Sequence, residues 1–159
     1  MASQLSILTA VLEGHADALR SAVSALPVGE GSPFAAAPGT HHGRFVVVCP
    51  RPLAPATFLM CSATMDVPVS TWIDDFLRAL GATADDIWSH CAGWPADSRA
   101  AYLLAHRVHP ALEFATWDAP AASIVEALDV QRRVVQLALR VQGLDAASQL
   151  AAYRAEFSR

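Results

Sequence analysis

The chain has 159 residues, the size of one ordinary domain able to bury a core without disulfide or metal staples. Hydrophobic residues make up 53% and charged residues 16%, and mean hydropathy is +0.32, which excludes intrinsic disorder and suggests that part of the surface is covered by another subunit. Net charge is −4 and every one of the 11 basic residues is arginine, so a nucleic-acid partner and a catalytic lysine are both excluded.

Cys49, Cys61 and Cys91 have no CxxC spacing, which argues against a disulfide framework or a zinc knuckle. No basic leader precedes the first apolar run, and no run reaches the length of a membrane span. The expectation is a cytoplasmic protein with no membrane partner.

In chain order, Leu5 to Val11 reads as a buried strand and His15 to Leu26 as an amphipathic helix closed by Pro27. Val28 to Gly39 is broken by Gly29, Gly31, Pro33 and Pro38 and reads as a long loop of the kind that covers a site. Arg44 to Cys49 is β-branched, and Thr57 to Ala63 follows after a proline-rich turn, so the two are expected to pair as an antiparallel hairpin. A helix is expected over Val69 to Leu80, with Ser70 as cap, Asp74 four residues before Arg78, and Gly81 as stop. Thr83 to Asp86 reads as a capping box opening a helix through Cys91, and Asp97 as the cap of a helix from Ser98 to Val108. Leu112 to Trp117 alternates as a half-buried strand does. Pro120 sits where a first-turn proline belongs, Ala121 to Gln142 reads as a long helix ended by Gly143, and Asp145 starts a last one.

The order strand, helix, strand, strand, helices, strand, helix is the βαββαβ pattern of a ferredoxin-like α+β fold. A single domain spans residues 1–159, with a C-terminal helical extension over 119–159. One sheet with helices on one face leaves the other face open, and a second copy covers it most simply, so a homodimer pairing through its sheets is expected.

The first strand with Gly14-His15 opening its helix, together with the four-strand order, resembles the dimeric α+β barrel superfamily, which includes antibiotic-biosynthesis monooxygenases, haem-degrading monooxygenases and polyketide cyclases. Ser32-Pro33-Phe34, the run from Pro38 to Phe45 and the run from Ile87 to Pro95 are similar to segments of bacterial proteins of that architecture. The resemblance covers residues 4–117 and implies the fold; members use different residues for different reactions, so it transfers no catalytic set.

Six histidines in a lysine-free chain are where proton transfer is sought. His41 and His42 are adjacent, so on a strand they face opposite ways and only one meets a pocket between sheet and helices. Arg44 shares the parity of His42 and suits an enolate or other anionic oxygen. Glu113, between Leu112 and Phe114, either faces solvent or is a paired, shifted carboxyl in a cavity.

Phe34, Trp72, Trp88, His90 and Trp117 are candidates for holding a planar substrate, against the plainer reading of core packing. His90 and Cys91 are neighbours in a helix and diverge, which favours a structural cysteine over a thiolate–imidazole pair. His106 is one turn past Tyr102, near a helix C-terminus. No metal-ligand spacing, phosphate loop, GxSxG or HExxH occurs, so no metal and no cofactor are expected, with haem on His106 as the alternative.

The resulting expectation is a small-molecule tailoring enzyme, an oxygenase, cyclase or isomerase, working on a hydrophobic or aromatic substrate by histidine acid/base chemistry. A haem-binding enzyme and a non-catalytic binding or scaffold protein of the same fold are the alternatives. A sheet–helix interior filled by apolar side chains favours the non-catalytic one.

Overall fold

The computed structural model describes residues 3–49, 56–109 and 119–157. These residues hold three β-strands and seven α-helices, an α+β arrangement, and contacts divide the chain into two compact units, Met1–Asp118 and Ala119–Arg159.

In the first unit, β1 (Ser3–Ala10), β2 (Thr40–Val48) and β3 (Phe58–Met65) form an antiparallel sheet in the order β1-β3-β2. The expected hairpin is present, since Phe45 pairs with Cys61 and Val48 with Phe58. β3 is the central strand, and its burial alternates along its length as a sheet with one packed face requires. Leu5, Ile7, Leu59, Cys61, Ala63 and Met65 face the core.

Helices α1 (Ala16–Ser24), α3 (Val69–Leu80), α4 (Thr83–Trp88) and α5 (Arg99–Ala105) supply the other side of that core through Leu19, Trp72, Ile73, Phe76, Ile87, Trp88 and Leu103. Wholly burying one such side chain is worth about 1.5–3 kcal/mol.

Helix α3 has the bounds its periodicity predicts, from Val69 to Leu80, and Gly81 stops it. Its expected cap is corrected. Pro68 is extended and occupies the N-cap, and its carbonyl accepts from the Trp72 N–H, so Ser70 lies inside the helix with no capping role. The proline ring holds φ near the required value. Pro120 acts in the same way, as N-cap, and the helix after it starts at Ala121 as expected. Arg78 pairs with Asp75, three residues before it, in place of Asp74.

Ala82 and Ser98, not Thr83 and Asp97, hold the N-cap positions of α4 and α5, and no side-chain cap bond forms at either. The expected loop over 28–39 contains a 3₁₀ turn (Gly29–Gly31) and the short helix α2 (Pro33–Ala36). Ser32 caps α2, accepting from the Phe34 N–H at 3.3 Å.

β2 begins four residues earlier than expected and takes in His41 and His42. A bulge lies between Thr40, opposite Met65, and His42, opposite Thr64, so His41 is the extra residue. The outer edge of β1 meets two short backbone segments: Ile7 bridges Arg107 and Val11 bridges Cys91, both antiparallel. The fourth strand expected over Leu112 to Trp117, with Glu113 and Trp117, lies outside the described residues.

The second unit contains α6 (Ala121–Arg140) and α7 (Ala146–Phe157). Asp145 caps α7 as expected, its Oδ1 accepting from the N–H groups of Ala147 and Ser148, each at 3.0 Å. Glu156 accepts from Arg133 and Arg140, each at 3.0 Å, and the Arg133 guanidinium stands 4.8 Å from the centre of the Phe157 ring, which fastens α7 to α6. No helix among the described residues is long and apolar enough to cross a membrane.

Candidate functional site

The space between sheet and helices, where a substrate pocket was expected, holds a stack of aromatic side chains. Phe34 lies 4.8 Å from Phe76 and 5.2 Å from Phe45, ring centre to ring centre. Phe76 stacks on Trp72 at 4.6 Å, and Phe45 meets Trp88 edge-on at 5.6 Å. Trp72 and Trp88 are fully buried, so both, with Phe34, serve the core. The Trp72 indole N–H donates to Thr40 Oγ1 at 2.8 Å, and that hydroxyl donates to the Ala37 carbonyl at 2.6 Å, which anchors the start of β2.

From that anchor the bulge presents His41. Its Nε2 is 2.6 Å from Asp66 Oδ1, in the residue directly after β3, and both side chains are largely buried. The Asp66 N–H donates to the Gly39 carbonyl at 3.0 Å, so backbone as well as side chain closes this corner. A carboxylate on one imidazole nitrogen fixes the ring's orientation and tautomer and leaves Nδ1 as the working atom, the relation of orienting acid to general base.

His42 and Arg44 share the opposite, outer face of the sheet, where their strand partners are Thr64 and Ser62. Arg44 Nε donates to Ser62 Oγ at 3.1 Å. Both side chains are exposed, and the terminal amines of Arg44 have no partner among the described residues.

A second histidine constellation was not legible in the sequence. His15 at the N-cap of α1 and His90 just after α4 approach with their Nδ1 atoms 3.0 Å apart. The ring centres are 5.2 Å apart, close to the separation reached when both nitrogens lie on the line between them. In that contact one Nδ1 donates and the other accepts, so the two rings hold one proton between them.

The Leu12 N–H donates to the His90 carbonyl at 2.9 Å and the His15 N–H to the Leu12 carbonyl at 3.1 Å, so the pair is strapped to the end of β1. The same β1–α1 turn lines a cleft of 520 Å³ with Glu13, Asp17 and Thr57 on its walls. Next to His90, Cys91 is buried and takes a 3.3 Å hydrogen bond from Thr9; burial pushes its thiol up, as befits a structural cysteine.

His106 occupies the C-cap of α5, where its Nδ1 donates to the Tyr102 carbonyl at 2.8 Å and its ring packs on Tyr102 at 4.1 Å. Of the tryptophans among the described residues, Trp72 stacks on Phe76 and Trp88 on Trp94, at 4.6 and 5.4 Å. Among the described residues no group of three or more histidine, cysteine or acidic side chains converges as metal ligands.

Two contacts that matter here escaped the sequence. Asp66 follows from strand register, because pairing Thr40 with Met65 brings the next residue to the bulge. His15 and His90 are 75 positions apart and carry no local signal. Compared with protein-family models, with curated proteins and with solved structures, the chain finds no match.

Proposed function

We propose that this protein is a ferredoxin-like enzyme, resembling the dimeric α+β barrel superfamily, that performs acid/base chemistry on a small hydrophobic or aromatic molecule at the corner where β2 begins. The contact between Asp66 and His41, 2.6 Å long, carries the reading. The carboxylate orients the imidazole, and His41 Nδ1 takes a proton from an activated carbon or hydroxyl; His42 and Arg44, on the other face of the sheet, take no part in that step. The strand order β1-β3-β2 supports the fold, since it is the order in which a ferredoxin-like sheet sets its first three strands.

The test uses a panel of cyclic and aryl ketones in D₂O, with exchange of the α C–H followed by NMR. The native protein is expected to accelerate exchange for at least one probe, and His41→Asn and Asp66→Asn to lose about 10²–10⁴-fold of that acceleration. Exchange equal in all three proteins refutes the role of the dyad.

A second reading is a non-catalytic ligand-binding protein, favoured by the aromatic filling of the sheet–helix interior and by the 520 Å³ cleft at the β1–α1 turn. It predicts that probes bind with no exchange and that Thr57→Trp, not His41→Asn, abolishes binding.

A further inference from the structure

Helix α6 is apolar on two sides. On one side Leu137 is only 7% exposed, and Arg133 and Arg140 reach α7 through Glu156. On the opposite side Val125, Leu128, Val135 and Leu139 are 67%, 54%, 52% and 65% exposed.

With Arg132 among them, these positions are spaced three, four, three and four residues apart, the a/d seam of a coiled coil. A seam with that spacing fits another α-helix, whose side chains enter the holes it leaves.

We propose that this outer seam of α6 docks against the same seam of a second copy of the chain, the two helices running antiparallel, so that the two α6–α7 hairpins make a four-helix arrangement.

Arg132 decides both occupant and direction. In a parallel, in-register pair it faces its own copy, two like charges in the middle of the seam. In the antiparallel pair each a position faces a d position: Val125 meets Val135 of the second copy, and the stem of Arg132 lies on the second copy's Leu128. Its guanidinium then stands beside the second copy's Asp129, the carboxylate it already approaches at 4.0 Å within its own helix. The seam therefore supplies apolar layers and the matching charge from a single sequence, which is what a two-fold interface demands.

The test is sedimentation equilibrium of the full chain between about 1 and about 100 μM, with the paired substitution Leu128→Glu and Leu139→Glu. Native protein is expected as a dimer, and the substituted chain as a monomer or with a dissociation constant raised at least about 100-fold, its circular dichroism unchanged because both sites are already exposed. Direction is read by mixing Val125→Cys and Val135→Cys chains, each on a Cys49→Ser background. The antiparallel pair gives the mixed disulfide, whereas a parallel pair gives only disulfides between like chains. A native monomer at the highest concentration overturns the proposal. So does a dimer untouched by the two glutamates, the result expected if the chains pair through their sheets, and so do disulfides confined to like chains.

Discussion

The ring of Phe34 lies against the bare backbone of Gly43. A Cβ on Gly43 would overlap the Phe34 ring at Cδ1. The absent side chain is what allows the capped turn of α2 to lay Phe34 on the sheet and to bridge Phe45 and Phe76. Gly43→Ala is expected to destabilise the fold by about 1–3 kcal/mol through overpacking, lowering Tm by several degrees. Trimming the ring in the double variant Gly43→Ala, Phe34→Leu should recover part of the loss. An unchanged melting temperature in the single variant disproves the close packing.

Thiol reactivity should separate the three cysteines. Cys49 is exposed, with Arg20 Nη2 2.8 Å from its sulfur, whereas Cys61 and Cys91 are buried. Burial raises the thiols of both buried residues, strongly for Cys61. Titration of the native protein with an aromatic disulfide reagent is expected to consume one equivalent quickly, the other two following only on unfolding. Cys49→Ser should remove the fast phase, and a fast phase that survives it contradicts the assigned burial.

Much of the fold could be read from punctuation. Pro68 and Gly81 bracket α3 and give its limits, and the β-branched run after Arg44 marks β2. The start of β2 could not be read in this way, because Thr40, His41 and His42 join the strand only through the bulge opposite β3 and the hydrogen bond from Trp72. The same distinction governs the site. His41 is visible as a histidine beside a strand, but its partner Asp66 is fixed by register, and the His15–His90 contact exists only once α1 and the turn after α4 are strapped to β1. Aromatic residues were visible as a set, yet composition does not distinguish a pocket from a stack; packing does.

Tyr102 carries an alkaline prediction. Its phenol donates to the Ala92 carbonyl at 2.8 Å, and burial, aided by the nearby Cys91, pushes its pKa up to about 12. The folded state thus favours the neutral phenol more than the unfolded chain does. This stability is fully present below the ordinary tyrosine value near 10 and is lost as pH rises from there to about 12. Thermal melts between neutrality and high pH should fall in that window, and Tyr102→Phe should flatten that part of the fall. A Tyr102 ultraviolet titration midpoint at the ordinary value counts against the burial argument.

Acid should act first on the hairpin of α6 and α7. Hydrogen bonds from Arg133 and then Arg140 hold the Glu156 carboxyl below the usual range, and the N–H and hydroxyl groups of Ser148 do the same for Asp145. For a depressed carboxyl the contribution to stability is present above the unfolded value, and it disappears as pH drops through the lower, folded value. Both groups are at the surface, so salt screens the effect and the slope should be shallower at high ionic strength. Following helix content from neutral pH to about 3 is expected to show loss of the C-terminal helices over the acid end of that range. In Glu156→Gln that loss is expected to be already partly present at neutral pH, with a smaller change on acidification. An acid transition of the same size in Glu156→Gln and the native protein would mean that Arg133 and Arg140 do not depend on that carboxylate to hold α7.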